Sequence, residues 1–429
     1  MNKKDKINLE GIAPVYIGSV QELYSVIEDD EVLISKTTEG GSVFDVGTIF
    51  SIKGSGESRA LFRNKIFQSL NAKESWLELK KWLENNGSYY DQTQNEIIRD
   101  TLNNFIENGA NTHHFGLIDA LTGDVYEKGM PPEPSNLTLI KKFQIHKPEQ
   151  IKSINWSFYD YSKYYSSNSF VIPLELIVRF GITSGSSILK KYQNLNENER
   201  QRYAEELGIV ADFIPWTMLN NPIIDFTTKY EPEDRSLTPQ EASALSGLDG
   251  KMFSSAIAMA LLGSYMANKI FQEMGLQLWD LKWEIAREND VLYFVDTIDT
   301  DSVRATVNIV QDGRTYFVHF NKQSMRDYYK IMHPEWYDSV NSAKLEAKKT
   351  GVSFVTILKS GQEKGSYEKT PVIDPSFLLI QEEKMKMVKE YSRGGTYDFI
   401  KAAKEIAMSE INYYKNSTQW ETYTTLNSI

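Results

Sequence analysis

Apolar and polar positions alternate in short runs near the start of the chain, then switch to a helical period. Residues 15–19, 22–26 and 32–35 are rich in β-forming side chains and read as strands, the last two joined by a polar turn at Glu28-Asp29-Asp30. Residues 43–45 and 49–52 continue the pattern, and residues 57–70 turn helical. Between 74 and 85, Trp76, Leu79, Trp82 and Leu83 fall on one helical face. A second helix carries Ile98, Leu102 and Phe105 as one stripe and stops at Gly109. Residues 146–168 are aromatic and polar without a clear period, which predicts an insertion or flap. A helix over 257–274 precedes 278–285, whose alternation predicts a strand with Asp280, Lys282 and Glu284 on one face. Residues 291–295, 306–310 and, after the Asp312-Gly313 turn, 315–320 add strands. Past Lys348 the composition becomes polar and loop-rich, ending in one amphipathic helix that carries Phe399, Ala403, Ile406 and Tyr414.

Composition narrows the class. A chain of 429 residues can bury a substantial core in two or three domains. Its 58 acidic against 47 basic side chains argue against nucleic acid or an anionic membrane as a general partner. A local basic pocket for a small phosphate stays open. With no cysteine there is no disulfide framework, thiolate zinc site or cysteine nucleophile, which fits a reducing interior. The charged start, Met-Asn-Lys-Lys-Asp-Lys, lacks the apolar centre of a signal peptide. The longest uncharged run, residues 252–268, is rich in Ser, Gly and Ala and reads as a buried helix rather than a membrane span. A cytoplasmic protein is expected.

Residues 173–191 concentrate the candidate chemistry. Glu175 and Arg179 lie on an apolar strand-like run that opens into a small-residue turn at 183–187. Opposite charges beside an N–H-rich Gly/Ser turn make a cradle for a phosphorylated substrate; a strand-edge ion pair before a surface turn is the bland alternative. No Walker motif is present, and Gly54-Ser55-Gly56 stops short of a complete G-x-G-x-x-G. Met325-Arg326-Asp327 lacks the asparagine of a kinase catalytic loop, and His113-His114 is adjacent rather than i,i+4, which disfavours a metal pair.

An ordered set of segments over residues 15–330 resembles the phosphoribosylaminoimidazole-succinocarboxamide synthase (SAICAR synthetase) family. Residues 18–24 followed by E-D-D-E-V-L-I resemble its G-K-x-R-D-x-Y hairpin, 42–45 its S-A-F-D, and 112–115 its T-H-F. Lys141-Lys142-Phe143 resembles the segment linking the lobes, and Glu175 to Arg179 with Gly185-Ser186 resembles E-x-x-V-R followed by G-S. Residues 222–231, P-I-I-D-F-T-T-K-Y-E, are similar to P-x-x-T-P-S-T-K-x-E, and 275–284 to G-I-x-L-A-D-T-K-F-E. Residues 296–304 are similar to D-E-x-x-T-P-D-S-S-R, and Asn321-Lys322-Gln323 with Arg326-Asp327 to D-K-Q-x-x-R-D.

The resemblance implies an α+β fold of two lobes: a mostly antiparallel N-terminal lobe and a larger α+β lobe, with a cleft between them. It divides the chain into a nucleotide-binding lobe at 1–145 with a helical insertion near 74–108, a substrate lobe at 146–347, and a partly helical C-terminal extension at 348–429. It implies ATP-dependent joining of the carboxylate of carboxyaminoimidazole ribonucleotide to L-aspartate, with ATP and Mg²⁺ as cofactors. Small-molecule substrates are the implied partners, and a homo-oligomer stays open. Arg179, Ser186 and Arg304 would hold the ribonucleotide phosphate. Glu175 and Asp296 would bear on Mg²⁺, and Lys229, Asp280 and Lys282 would join them in catalysis. Gly18, Ser19, Gln21 and Lys142 would line the nucleotide site. This chain departs from the family at Ser19, Gln21 and Ser55, where basic residues are expected; three fewer cations beside a triphosphate weaken its attraction. Two alternatives follow: a diverged ligase acting on another acid or nucleotide, and a catalytically silent nucleotide-binding or scaffold protein.

Overall fold

The computed structural model describes residues 11–26, 29–209, 213–395 and 398–429. The first residues and Glu28 of the predicted acidic turn lie outside these. The fold is α+β. Its first sheet has six strands in the order Tyr16–Ile17, Gln21–Val26, Asp29–Thr37, Leu137–Lys141, His114–Ile118 and Val125–Tyr126, and every pairing in it is antiparallel. The helix Ser55–Asn71 covers it, burying Ala60 and Leu61 with Leu117.

The second sheet has eight strands. From one edge run Ser236–Leu237, Thr217–Thr228, Leu174–Ile182, Gln277–Glu288, Val303–Gln311 and Arg314–His319, while Ser169–Val171 and Val291–Val295 pair with the far half of Gln277–Glu288. Period 2 gives that long central strand two faces. Leu281, Trp283 and Ile285 enter the main core, where the Trp283 indole N–H donates to Ser264 Oγ on the helix Gly250–Glu273 at 2.8 Å. Asp280, Lys282 and Glu284 take the other face, as their spacing predicts. Asp249 caps the helix through Met252 N–H at 2.8 Å. Among the described residues no helix is long and apolar enough to cross a membrane.

One expectation gains detail and two change. The segment 146–168 holds a hairpin, Glu149–Ser153 with Trp156–Asp160, and the short helix Ser162–Ser166. Its strands pair only with each other among the described residues, so no buried face imposes a readable period. The helices Lys73–Glu84 and Glu96–Asn108 lie in sequence between strands of the first sheet, yet Trp76, Leu79, Leu102 and Phe105 join the main core with the helix Gly250–Glu273. Beyond Lys348 the described residues form not one helix but four: Phe354–Lys364, Pro375–Ser392, Phe399–Lys415 and Trp420–Asn427. Buried polar groups dilute their apolar pattern. Lys384 is fully buried, pairs with Glu410 and donates to His319 O at 2.7 Å, tying two of these helices to the second sheet.

Candidate functional site

Strand register assembles the charged face. Arg179 lies opposite Asp280 on one ladder, and Asp280 opposite Arg304 on the next, so three neighbouring strands present plus, minus, plus in a row. Asp280 Oδ2 accepts from Arg179 Nη1 at 3.1 Å and from Arg304 Nη1 at 2.6 Å. Arg179 is 2% exposed. Its Nε and Nη2 grip Asp225 at 2.7 and 3.0 Å, and it also donates to Ser186 Oγ at 3.4 Å and Ser187 Oγ at 3.0 Å. All five guanidinium donors therefore have acceptors inside the protein. The predicted trio Arg179, Ser186 and Arg304 does gather, but Arg179 has no donor left for a phosphate.

Two residues along the same strands the signs continue to alternate. Lys282 Nζ contacts Glu175 Oε1 at 2.5 Å and Glu284 Oε1 at 3.3 Å, and Lys229 pairs with Glu284. Thr227 Oγ1 donates to Glu175 Oε2 at 2.9 Å. Both oxygens of Glu175 are thus engaged, and the carboxylate beside Asp296 is Glu284, not Glu175. Asp296 follows the strand Val291–Val295 at φ 63°, a backbone region costly for a residue with a Cβ. Burial and then the adjacent Asp296 push Glu284 up to about 7, despite its two ammonium neighbours. Burial alone would raise Asp296 too, but Lys229, the hydrogen bond with Glu284 and Lys282 bring it down to about 2. The two carboxyl groups thus share one proton up to near-neutral pH. Burial opposes the charge on Lys282, but Glu284 and Glu175 outweigh it and raise its pKa.

The predicted nucleotide residues lie in the first sheet. Gly18 N–H donates to Gln21 O at 2.7 Å in the turn before the second strand, and Ser19 O accepts from Thr48 Oγ1 at 2.7 Å. Lys142 donates its backbone N–H to Glu31 O at 2.7 Å. Two cations there are already neutralised: Lys36 by Glu22 at 3.0 Å and Lys141 by Glu288 at 2.8 Å. Two ion pairs join this lobe to the second sheet: Arg59 to Asp301 at 2.8 Å and Arg63 to Asp299 at 2.6 Å. Both arginines lie on one face of the helix Ser55–Asn71, four residues apart.

Sequence reasoning missed Glu284 and Asp225 as members of the site, although alternation had placed Glu284 on the correct face. Among the described residues no group of three or more histidine, aspartate or glutamate side chains forms a ready metal cage.

A model of the SAICAR synthetase family matches residues 119–343, just over half of the chain. A curated relative from Archaeoglobus fulgidus, provisionally named a phosphoribosylaminoimidazole-succinocarboxamide synthase, is 29% identical over 240 residues, 56% of this chain. The chain spans 65% of that relative's length. A solved structure of a SAICAR synthase aligns with 92% of this chain and 99% of its own at 17% identity and a TM-score of 0.51, which shows a common fold. The Saccharomyces cerevisiae SAICAR-synthase complexed with SAICAR gives 18% identity, the same two coverages and a TM-score of 0.49. With a family model matching more than half its length, this chain belongs to the SAICAR synthetase family.

Proposed function

We propose that this protein is an ATP-dependent ligase that joins the carboxylate of carboxyaminoimidazole ribonucleotide to the amine of L-aspartate. Besides family membership, the observation that carries this reading is the buried row of Glu175, Lys282, Glu284, Lys229 and Asp296. A carboxylate is a poor electrophile and gains a leaving group through phosphorylation by ATP. Lysines held between carboxylates stay charged, so Lys282 and Lys229 can steady the charge that develops on the transferred phosphoryl group and the acyl oxygen. The residues that fit Mg²⁺ are Glu284 and Asp296, two adjacent hard-oxygen donors that share a proton a cation would displace. The ion would supply charge neutralisation at the triphosphate. Asp280 links Arg179 and Arg304 and so fixes the turn at 183–187.

The decisive experiment mixes the protein with Mg-ATP, L-aspartate and carboxyaminoimidazole ribonucleotide, following ADP and the succinocarboxamide by mass-resolved chromatography. We expect product only with all three reactants, and a fall of about a hundredfold or more in rate for Lys282→Ala. Folded protein that yields no product would overturn the proposal. The neutralised Lys36 and Lys141, with Ser19, Gln21 and Ser55 in place of basic residues, favour a second reading in which the chain binds a ribonucleotide but has lost ATP chemistry. Retained ribonucleotide binding without Mg-ATP binding would select it.

A further inference from the structure

The C-terminal helices carry a charge that their packing alone does not call for. Lys384, on the helix Pro375–Ser392, and its partner Glu410, on Phe399–Lys415, are 0% and 3% exposed. Apolar side chains of similar volume often hold such a place as well as a buried ion pair does. What the ammonium adds is direction. Besides Glu410, it donates to His319 O at 2.7 Å and to Ser324 Oγ at 3.2 Å, so all three of its protons are used. Ser324 Oγ donates in turn to His319 O at 2.7 Å, and Gln381 Nε2 to Glu410 Oε2 at 2.8 Å. His319 ends the strand Arg314–His319, and Ser324 lies in the first turn of the helix Gln323–Met332. One side chain therefore grips both ends of the connection 320–323.

That connection abuts the charged face. Asn321 Nδ2 donates to Val303 O at 2.7 Å, next to Arg304 on the same strand, and Asn321 Oδ1 accepts from Gln323 N–H at 2.9 Å. The Gln323 amide donates to Asp327 Oδ1 at 2.7 Å and lies 3.3 Å from where a Gly185 Cβ would stand. Lys322, which forms no ion pair among the described residues, lines a cavity between the lobes with Ser42, Arg59 and Asp301. Gln381 and Met385, from the same helix as Lys384, line that cavity too. The C-terminal extension thus reaches the cleft directly as well as through the ammonium.

We propose that Lys384 is a positioning residue: by fixing His319 O and Ser324 Oγ it sets the segment 321–327 against the cleft, so that the C-terminal helices shape the substrate site. That this segment serves ligation rests on the reading above. The test is the whole chain carrying Lys384→Met with Glu410→Gln, which removes both charges and leaves Gln381 an acceptor. This variant should keep the parent Tm. Amide exchange at 321–327 should quicken about tenfold, and the KM for carboxyaminoimidazole ribonucleotide should rise about tenfold with kcat within about twofold. Ser324→Ala should do the same, and all three changes together should cost no more than either set alone, because they act along one path. A general loosening of the fold would instead lower Tm and add the losses. If the charge-free variant does not fold, Ser324→Ala decides by the same two measurements. Unchanged exchange at 321–327 in a folded variant overturns the proposal, and so does quickened exchange with an unchanged KM. If the parent protein makes no product, the ligase reading falls, and the exchange comparison still decides this one.

Discussion

Arg179 shows why a residue's type and its role can part company. A guanidinium on a strand before a Gly/Ser turn invites a phosphate, but Asp225 and Asp280 claim its donors first. The carboxylates arrive on two other strands, so only pairing register reveals them. His113 makes a similar point about buried polar groups. Its Nδ1 lies 3.1 Å from Phe294 O, and burial lowers its pKa to about 4. The unfolded chain takes up a proton near pH 6.5 while the folded one refuses it until about pH 4. Stability is therefore full above the unfolded value and falls as pH drops through that window. Urea unfolding should show a loss of roughly 2 kcal/mol from this site between pH 7 and pH 5. Asparagine at position 113 should flatten that part of the slope; an unaltered slope would refute the assignment.

At the level of elements, the helix Gly250–Glu273 and the strand Gln277–Glu288 carry the fold. Apolar residues of the helix pack on the face of the strand opposite Asp280, Lys282 and Glu284, so core packing on one side fixes the charged row on the other. Gly263 sets how closely they approach. A Cβ there would meet Phe294 at 2.8 Å and the Trp283 ring at 3.0 Å. Gly263→Val should destabilise the protein by about 2–3 kcal/mol, because overpacking here outweighs any gain in helix propensity. Chemical denaturation measures it, and a neutral or stabilising result would mean that the interface has slack. These two elements were largely legible in the sequence, since a long apolar helix and strict alternation each have a clear period. The hairpin at 149–160 and the helices after 354 were not, because one lacks a buried face and the others bury polar partners such as Lys384 and Glu410.

Over the whole molecule, buried ion pairs fasten the first sheet's helix to the loop between Val291–Val295 and Val303–Gln311. Arg63 and Asp299 are 3% and 1% exposed, and a pair this deep is costly to break from one side. Arg63→Met should lose about 3 kcal/mol by leaving Asp299 buried without its countercharge. Amide exchange should quicken in the helix Ser55–Asn71 and at residues 296–302, while the core strand Leu174–Ile182 stays protected. Uniform loss of protection would show that the two sheets unfold as one unit instead.

Local pattern alone determined the strands Gln21–Val26 and Asp29–Thr37, the central helix–strand pair and the common face of Asp280, Lys282 and Glu284, because each depends on a period carried within one segment. Motif order determined the family, since the spacing of its segments persists where individual residues have changed. Only the tertiary structure decided which charges meet: Glu284 rather than Glu175 beside Asp296, and two carboxylates around Arg179. Ion pairs in a sheet are set by register between strands distant in sequence, and a charged side chain carries no local sign of which partner the fold will bring to it.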